Sequence, residues 1–235
     1  MTPALRLLLL MSGAGGGGAA AAPEPPLTNL AAWYRKGTGI THVANAVSQW
    51  DDQSGNARHQ LQAAVNSKPT LQGDGTVLFE SPGGGLDDYM MASFALVQPC
   101  TFYLRAKLLT WSSNRRLMGG AVNAGGEIHC SGTTPTIALY SGNFGVAPNS
   151  NLVIGQYSTV CAVFAGASSV LQVDATTATT GNAGATNPGG ITLAAGGPAG
   201  GNTSHIQIAA CLVYSAAHDA TERAAVRTYL SSIGV

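Results

Sequence analysis

The sequence predicts an all-β sandwich of jelly-roll type, closed by one C-terminal helix. Three observations carry this expectation. Short runs of β-branched and aromatic residues recur about every ten residues, each closed by Gly, Asn or Pro, which is the spacing of a sandwich or jelly roll. Glycine reaches 31 of 235 residues and much of the 45% apolar content is Ala, a mixture that favours turns over long helices. Helical periodicity appears only at the C-terminal end. A sandwich of this length folds as one unit, and the domain is placed at 27–235, behind an arm at 1–26.

The arm, MTPALRLLLLMSGAGGGGAAAAPEPP, has one basic residue, Arg6, and a short apolar run from Leu7 to Met11. Secretory signals carry about seven to fifteen apolar residues and a membrane span about twenty. The segment is therefore too short to span a membrane and makes a poor export signal. It reads as an arm that docks on another protein, with residues 13–26 as a flexible-to-extended linker. The competing reading is an export signal cleaved at Ala22 or Pro23.

Strand-like runs follow in order: LAAWYRK from Leu30, AVSQWDD from Ala46, and TVLFES from Thr76 before an SPGGG turn. Next come TFYLRAKLLTW from Thr101, then RRLMGG, GEIHCSG and TIALYSG. Two further pairs are expected, STVCAVF with SVLQVD and GITLAAGG with HIQIAACLVYS. The helix is signalled by Asp219, whose side chain can cap the first-turn amides while Glu222 completes a capping box. Val226, Tyr229, Leu230 and Ile233 give it one apolar face, and Gly234 suits its C-cap.

Charge and cysteine content exclude several functions. Lys plus Arg equals Asp plus Glu, eleven of each, and the one basic pair is Arg115–Arg116, so the footprint of a nucleic-acid groove is missing. Low net charge suits packing into an assembly, and a homo-oligomer, a trimer by preference, is expected. Cys100, Cys130, Cys161 and Cys211 form no C-x-x-C motif, and buried free thiols are the main reading, with disulfides the alternative.

The order of features resembles the laminin-G-like, concanavalin-A-like lectin and glucanase superfamily, in the form found in phage virion proteins and bacterial surface proteins. The resemblance rests on Trp33 in the first strand, on the W-x-D-x-S-G-N-x-x-H run from Trp50 to His59 followed by Pro69-Thr70, and on the ending from SVLQVD to the helix. It covers 27–235. It implies a non-enzymatic virion subunit, a capsid decoration, head-fibre or tail-fibre protein at the virion surface. Its jelly roll would face outward to contact host glycans, while residues 1–26 bind other virion proteins. The alternative it implies is a secreted or cell-surface carbohydrate-binding module.

A hydrolase is disfavoured by the residues themselves. Glycosidases need two carboxyls roughly 5 to 10 Å apart, yet Glu24, Glu80, Glu127 and Glu222 are far apart in sequence and the E-x-D-x-x-E pattern of the superfamily's glucanases is missing. Neither a G-x-S-x-G elbow nor a phosphate-binding G-x-x-x-x-G-K-[ST] loop occurs. For glycan stacking the loop residues Tyr89, Trp111, Tyr140 and Phe144 are candidates, with Arg115 and Arg116 as contacts to an acidic glycan. The polar stretch AVSQWDDQSGNARHQLQ, 46–62, has two readings. Asp51, Asp52 and Asn56, with Asp87 and Asp88 from another loop, offer oxygen ligands for the calcium that several superfamily members hold at the sandwich rim. Alternatively the strand buries Trp50 and turns through Ser54-Gly55-Asn56, with Asp51 or Asp52 capping the turn, Gly55 or Asn56 at positive φ, and His59 returning towards the core.

Overall fold

A computed structural model describes residues 24–82, 87–144 and 146–235. Most of the predicted arm lies outside them, as do the three glycines of the expected SPGGG turn. The described chain runs through β1 (Leu30–Arg35), β2 (Ile40–Val43), β3 (Ala46–Trp50), β4 (Gln60–Leu61), β5 (Thr70–Leu71) and β6 (Val77–Phe79). It continues through β7 (Met90–Ser93), β8 (Cys100–Leu108), β9 (Arg116–Gly119), β10 (Glu127–Cys130), β11 (Ile137–Tyr140) and β12 (Val146–Asn149). Last come β13 (Tyr157–Phe164), β14 (Ser169–Val173), β15 (Thr179–Gly181), β16 (Gly190–Leu193), β17 (Ile206–Tyr214) and α1 (Ala220–Ser232).

All of the strand pairs are antiparallel and they build two layers. The front layer runs β2–β3–β4–β7–β16–β9–β10–β11–β12. In the back layer β17 has β8 on one side and β6 and then β1 on the other, and β13, β14 and β15 follow β8. The layers join at a corner, where β5 pairs with both β3 and β6.

The long strands of the back layer are buried on both faces, and this is why they read as nearly continuous apolar runs. Phe102, Leu104, Val160, Ala162 and Phe164 point into the main core, against Trp50, Met90, Met118 and Ile128 of the front layer. The alternate residues Tyr103, Cys161, Val163, Leu212 and Tyr214 point outward, where Val226, Tyr229 and Leu230 of α1 cover them. In β17 the register slips between Ile208 and Ala210, so the core-facing positions change from Ile206 and Ile208 to Cys211 and Val213. The helix has the expected capping box, Asp219 taking the Glu222 N–H and Glu222 taking the Asp219 N–H, and Gly234 just beyond it has φ +68°. All four cysteines are buried free thiols, as the main reading had it.

One expected pairing is absent. β16 lies in the front layer between β7 and β9, and β17 at the centre of the back layer. The glycine-rich segment 194–203 folds back on itself between them through a Gly196–Gly201 bridge. It is thus a crossover from one layer to the other and not a hairpin turn.

Candidate functional site

The polar stretch builds a rigid corner. Trp50 is fully buried and its indole N–H donates to the Arg35 carbonyl at 3.1 Å. Asp52 holds the turn: its Oδ1 accepts from the main-chain N–H of Trp33 and of Ser54, each at 2.9 Å. Its Oδ2 accepts from the Ser54 hydroxyl at 2.8 Å and the Arg58 N–H at 3.0 Å. Gly55 takes φ +86°, and the next positive φ falls at Ala57, not Asn56. Asn56 turns its amide to the carbonyls of Leu30 and Ala31 at 3.1 and 3.0 Å. Asp51 accepts from the Gln49 amide at 2.6 Å and lies 3.3 Å from His59 Nδ1. His59 does not return to the core; it stays half-exposed at the edge of a cleft.

That cleft, about 700 Å³, is the candidate site. Its floor is the outer face of β4 and β7, where the paired residues Leu61 and Met91 face away from the core. Tyr89 enters from the chain before β7, with its carbonyl held by the Gln62 amide at 2.8 Å. Its ring rests on Gly200: a Cβ there would lie 2.4 Å from the Tyr89 ring, so the 194–203 segment approaches this closely only as glycine. On the opposite wall the Arg58 guanidinium stacks over Phe94, 4.4 Å from the ring centroid, and donates to the Ala31 carbonyl at 2.9 Å. His59 Nδ1 accepts from the Asp52 N–H at 3.2 Å, which leaves Nε2 as its cleft-facing nitrogen. Among the described residues no Asp or Glu lines the cleft. The arrangement offers apolar floor, aromatic walls and hydrogen-bond donors, and no carboxyl pair to act as acid and base.

The remaining sequence candidates are scattered. Asn56 joins Tyr89 in the cleft, and Asp51 and Asp52 stand behind it. Trp111 lies half-buried against the main core, its indole N–H 3.5 Å from the Thr136 carbonyl. Arg115 lies in the β8–β9 turn, where its carbonyl accepts from the Cys130 N–H at 2.8 Å. Arg116 is not solvated with it: it is buried and pairs with buried Glu127, Nε to Oε2 at 2.8 Å. The 194–203 segment covers this pair so tightly that a Cβ on Gly196 would sit 3.0 Å from Arg116 Cγ and 3.2 Å from Glu127 Oε1. Beside it His129 is pushed down to about 4, by burial first and the Arg116 charge second. Tyr140 and Phe144 stack at 3.9 Å between centroids, with Phe144 edge-on to His129 at 5.8 Å. Asp88 is buried and accepts the Glu80 N–H at 2.9 Å; burial, then Glu80 and Asp87, raise it to about 6. Among the described residues no group of three or more His, Cys, Asp or Glu is placed to hold a metal ion, and no helix is long and apolar enough to cross a membrane.

Arg58, His59 and Phe94, with the floor residues Leu61 and Met91, are among the cleft residues that sequence reasoning missed. The first two stand inside the stretch singled out for its polarity, and only the fold shows that they, not the Asp pair, face the opening. Phe94 follows a short strand without polar alternation and is brought to Arg58 by the β4–β7 pairing.

No protein-family model and no curated protein matches the chain. Solved structures do. The chain is similar to a sialidase of Trypanosoma rangeli in complex with sialic acid (17% identity, TM-score 0.59), over 95% of this chain and 36% of that one. The same sialidase with the inhibitor DANA gives 17% identity and a TM-score of 0.60 over 92% of this chain and 35% of that one. The binding domain of botulinum neurotoxin DC in complex with SialylT gives 9% and 0.59 over 88% and 51%. The chain thus spans about a third of the sialidase and half of the toxin domain, and at these identities the likeness is one of fold.

Proposed function

We propose that this is a non-enzymatic, lectin-like domain whose cleft between Tyr89 and the Arg58–Phe94 stack binds a saccharide. The observation that carries the reading is the cleft's composition: aromatic and apolar walls with donors converging on them, and among the described residues no carboxyl on its lining. Such a site can hold a sugar ring and orient its hydroxyls, but lacks the paired acids of the common two-carboxylate hydrolases. The solved relatives support it, since the sialidase was captured with sialic acid and the toxin domain with SialylT. Sequence reasoning supplies the setting: an outward jelly roll on a phage virion, oligomeric, tethered through residues 1–26.

Two experiments test this. Titration of the protein with a saccharide panel, followed by nuclear magnetic resonance, is expected to show binding that Tyr89→Ala and Phe94→Ala abolish without loss of fold; no binding by any saccharide sinks the reading. For the tether, deletion of 1–26 is expected to leave a folded domain that no longer joins its particle. A mature mass beginning at Ala22 or Pro23 would instead establish the export-signal reading.

A further inference from the structure

Resting on the saccharide-binding reading, we infer that the cleft selects sugars carrying a carboxylate, read by Arg58 with His59 beside it. Arg58 is a cation with no carboxylate partner among the described residues: the arginine–carboxylate pairs there join Arg105 to Asp174 and Arg116 to Glu127, and Asp51 lies beside His59, 3.3 Å from its Nδ1. Asp52, which takes the Arg58 main-chain N–H, receives two donors on each oxygen and leaves none of them for the guanidinium.

Of the guanidinium's donors, Nη1 is held by the Ala31 carbonyl, while the group's central carbon stands 4.4 Å over the centroid of the Phe94 ring. These two contacts anchor the guanidinium on the cleft lining, and its remaining N–H donors are left for a ligand, where a planar carboxylate can accept two of them side by side. His59 adds its Nε2 to the same wall, because Nδ1 is engaged by the Asp52 N–H. With Arg58 as the cation on its lining, the Nε2–H of His59 as a donor beside it, and no acid among the lining residues described, the cleft favours an anion over a neutral hydroxymethyl group. The apolar floor of Leu61 and Met91, beside Tyr89, suits the ring that bears it.

The test compares matched pairs on the full chain: sialyllactose against lactose, and methyl glucuronide against methyl glucoside. The acidic member of at least one pair is expected to bind about ten- to a hundred-fold more tightly, the range of one charge-assisted contact, and the preference should shrink as salt rises. Arg58→Gln should bring the two members of that pair to near parity, and Arg58→Lys should keep part of the preference, since it retains charge without the side-by-side donors. Equal binding of acidic and neutral sugars by the native protein overturns the carboxylate inference and leaves saccharide binding intact. Binding of none overturns both. An acidic preference that survives Arg58→Gln in a variant with native melting temperature overturns the assignment to Arg58.

Discussion

The outer faces of the two layers are covered in opposite ways. Behind β8, β13 and β17 the cover is α1, which sets Val226, Tyr229 and Leu230 on Tyr103, Cys161 and Tyr214. A helix satisfies its own main chain, so it can lay a purely apolar face on a sheet. Over β9 and β10 of the front layer the cover is the glycine-rich segment 194–203, and beneath it lie Arg116 and Glu127. A loop brings unpaired main-chain groups with it, and the strand below must answer them: the Arg116 N–H donates to the Asn202 carbonyl at 2.7 Å. Beyond this loop, at β4 and β7, the same face is open and forms the cleft. An apolar helical roof seals the core-like centre of its sheet face, whereas a short polar one leaves part of its face open to a ligand.

The contrast is broken most directly at the buried ion pair. Glu127→Ala removes one partner and strands the Arg116 charge, at an expected cost of about 3–5 kcal/mol in urea unfolding. Joint replacement by Arg116→Met and Glu127→Leu should recover most of that loss. A loss under about 1 kcal/mol for the single change, the level of an exposed pair, would mean that the loop does not seal this face. Under the helix, Leu230→Ala at a fully buried position is expected to cost about 2–4 kcal/mol by leaving a cavity between α1 and the back layer. Here the loss comes from volume and not from an unpaired charge, so it should not depend on salt.

The same contrast explains what was legible in the sequence. The back layer and its helix could be read because both faces are buried: β8, β13 and β17 are long apolar runs, and the Asp219–Glu222 capping box marks the helix start without tertiary information. The short strands β2, β4, β5 and β7 could not, since two to four residues carry too little periodicity and are held by register with neighbours distant in sequence. Polarity in 46–62 pointed to the corner, where Asn56 lines the cleft with Arg58 and His59 while Asp51 and Asp52 stand behind it. An Asp before Ser-Gly reads as a turn cap first and a ligand second, and the four donors around Asp52 favour the cap. Arg115 and Arg116 are adjacent in sequence, yet one lies in a turn and the other in a strand under a loop.

Asp88 tests the open end of the face through pH. Its folded pKa, about 6, lies above the ordinary 3.8, so the folded protein holds a proton that the unfolded chain has released in this window. The stability this group contributes is therefore present below pH 4 and lost as pH rises through 6. Asp88→Asn keeps an oxygen to accept the Glu80 N–H and removes the penalty. It is expected to stabilise the protein on the order of 1–2 kcal/mol at pH 7.5 and not at pH 4. His129, held down to about 4 by burial and then by the Arg116 charge, shifts stability the other way: its contribution is lost as pH falls from 6.5 through 4. A variant that melts with wild type at both pH values would show that Asp88 is already solvated.

The smallest expected effect concerns the corner behind the cleft. If Asp51, Asp52 and Asn56 held calcium at about a hundred times its dissociation constant, the ion would contribute about 2.7 kcal/mol, or several degrees of melting temperature for a chain of this length. The donors already present argue for the turn instead. Each Asp52 oxygen accepts two hydrogen bonds, and three of the four come from main-chain amides that would be left buried if the carboxylate turned to an ion. Addition of EDTA is therefore expected to leave the melting temperature unchanged, while Asp52→Ala, which frees those amides, lowers it. A fall of several degrees with EDTA, reversed by calcium and absent in the Asp52→Ala variant, would return these residues to the role of ligands and make the corner a metal-dependent support for Arg58 and His59.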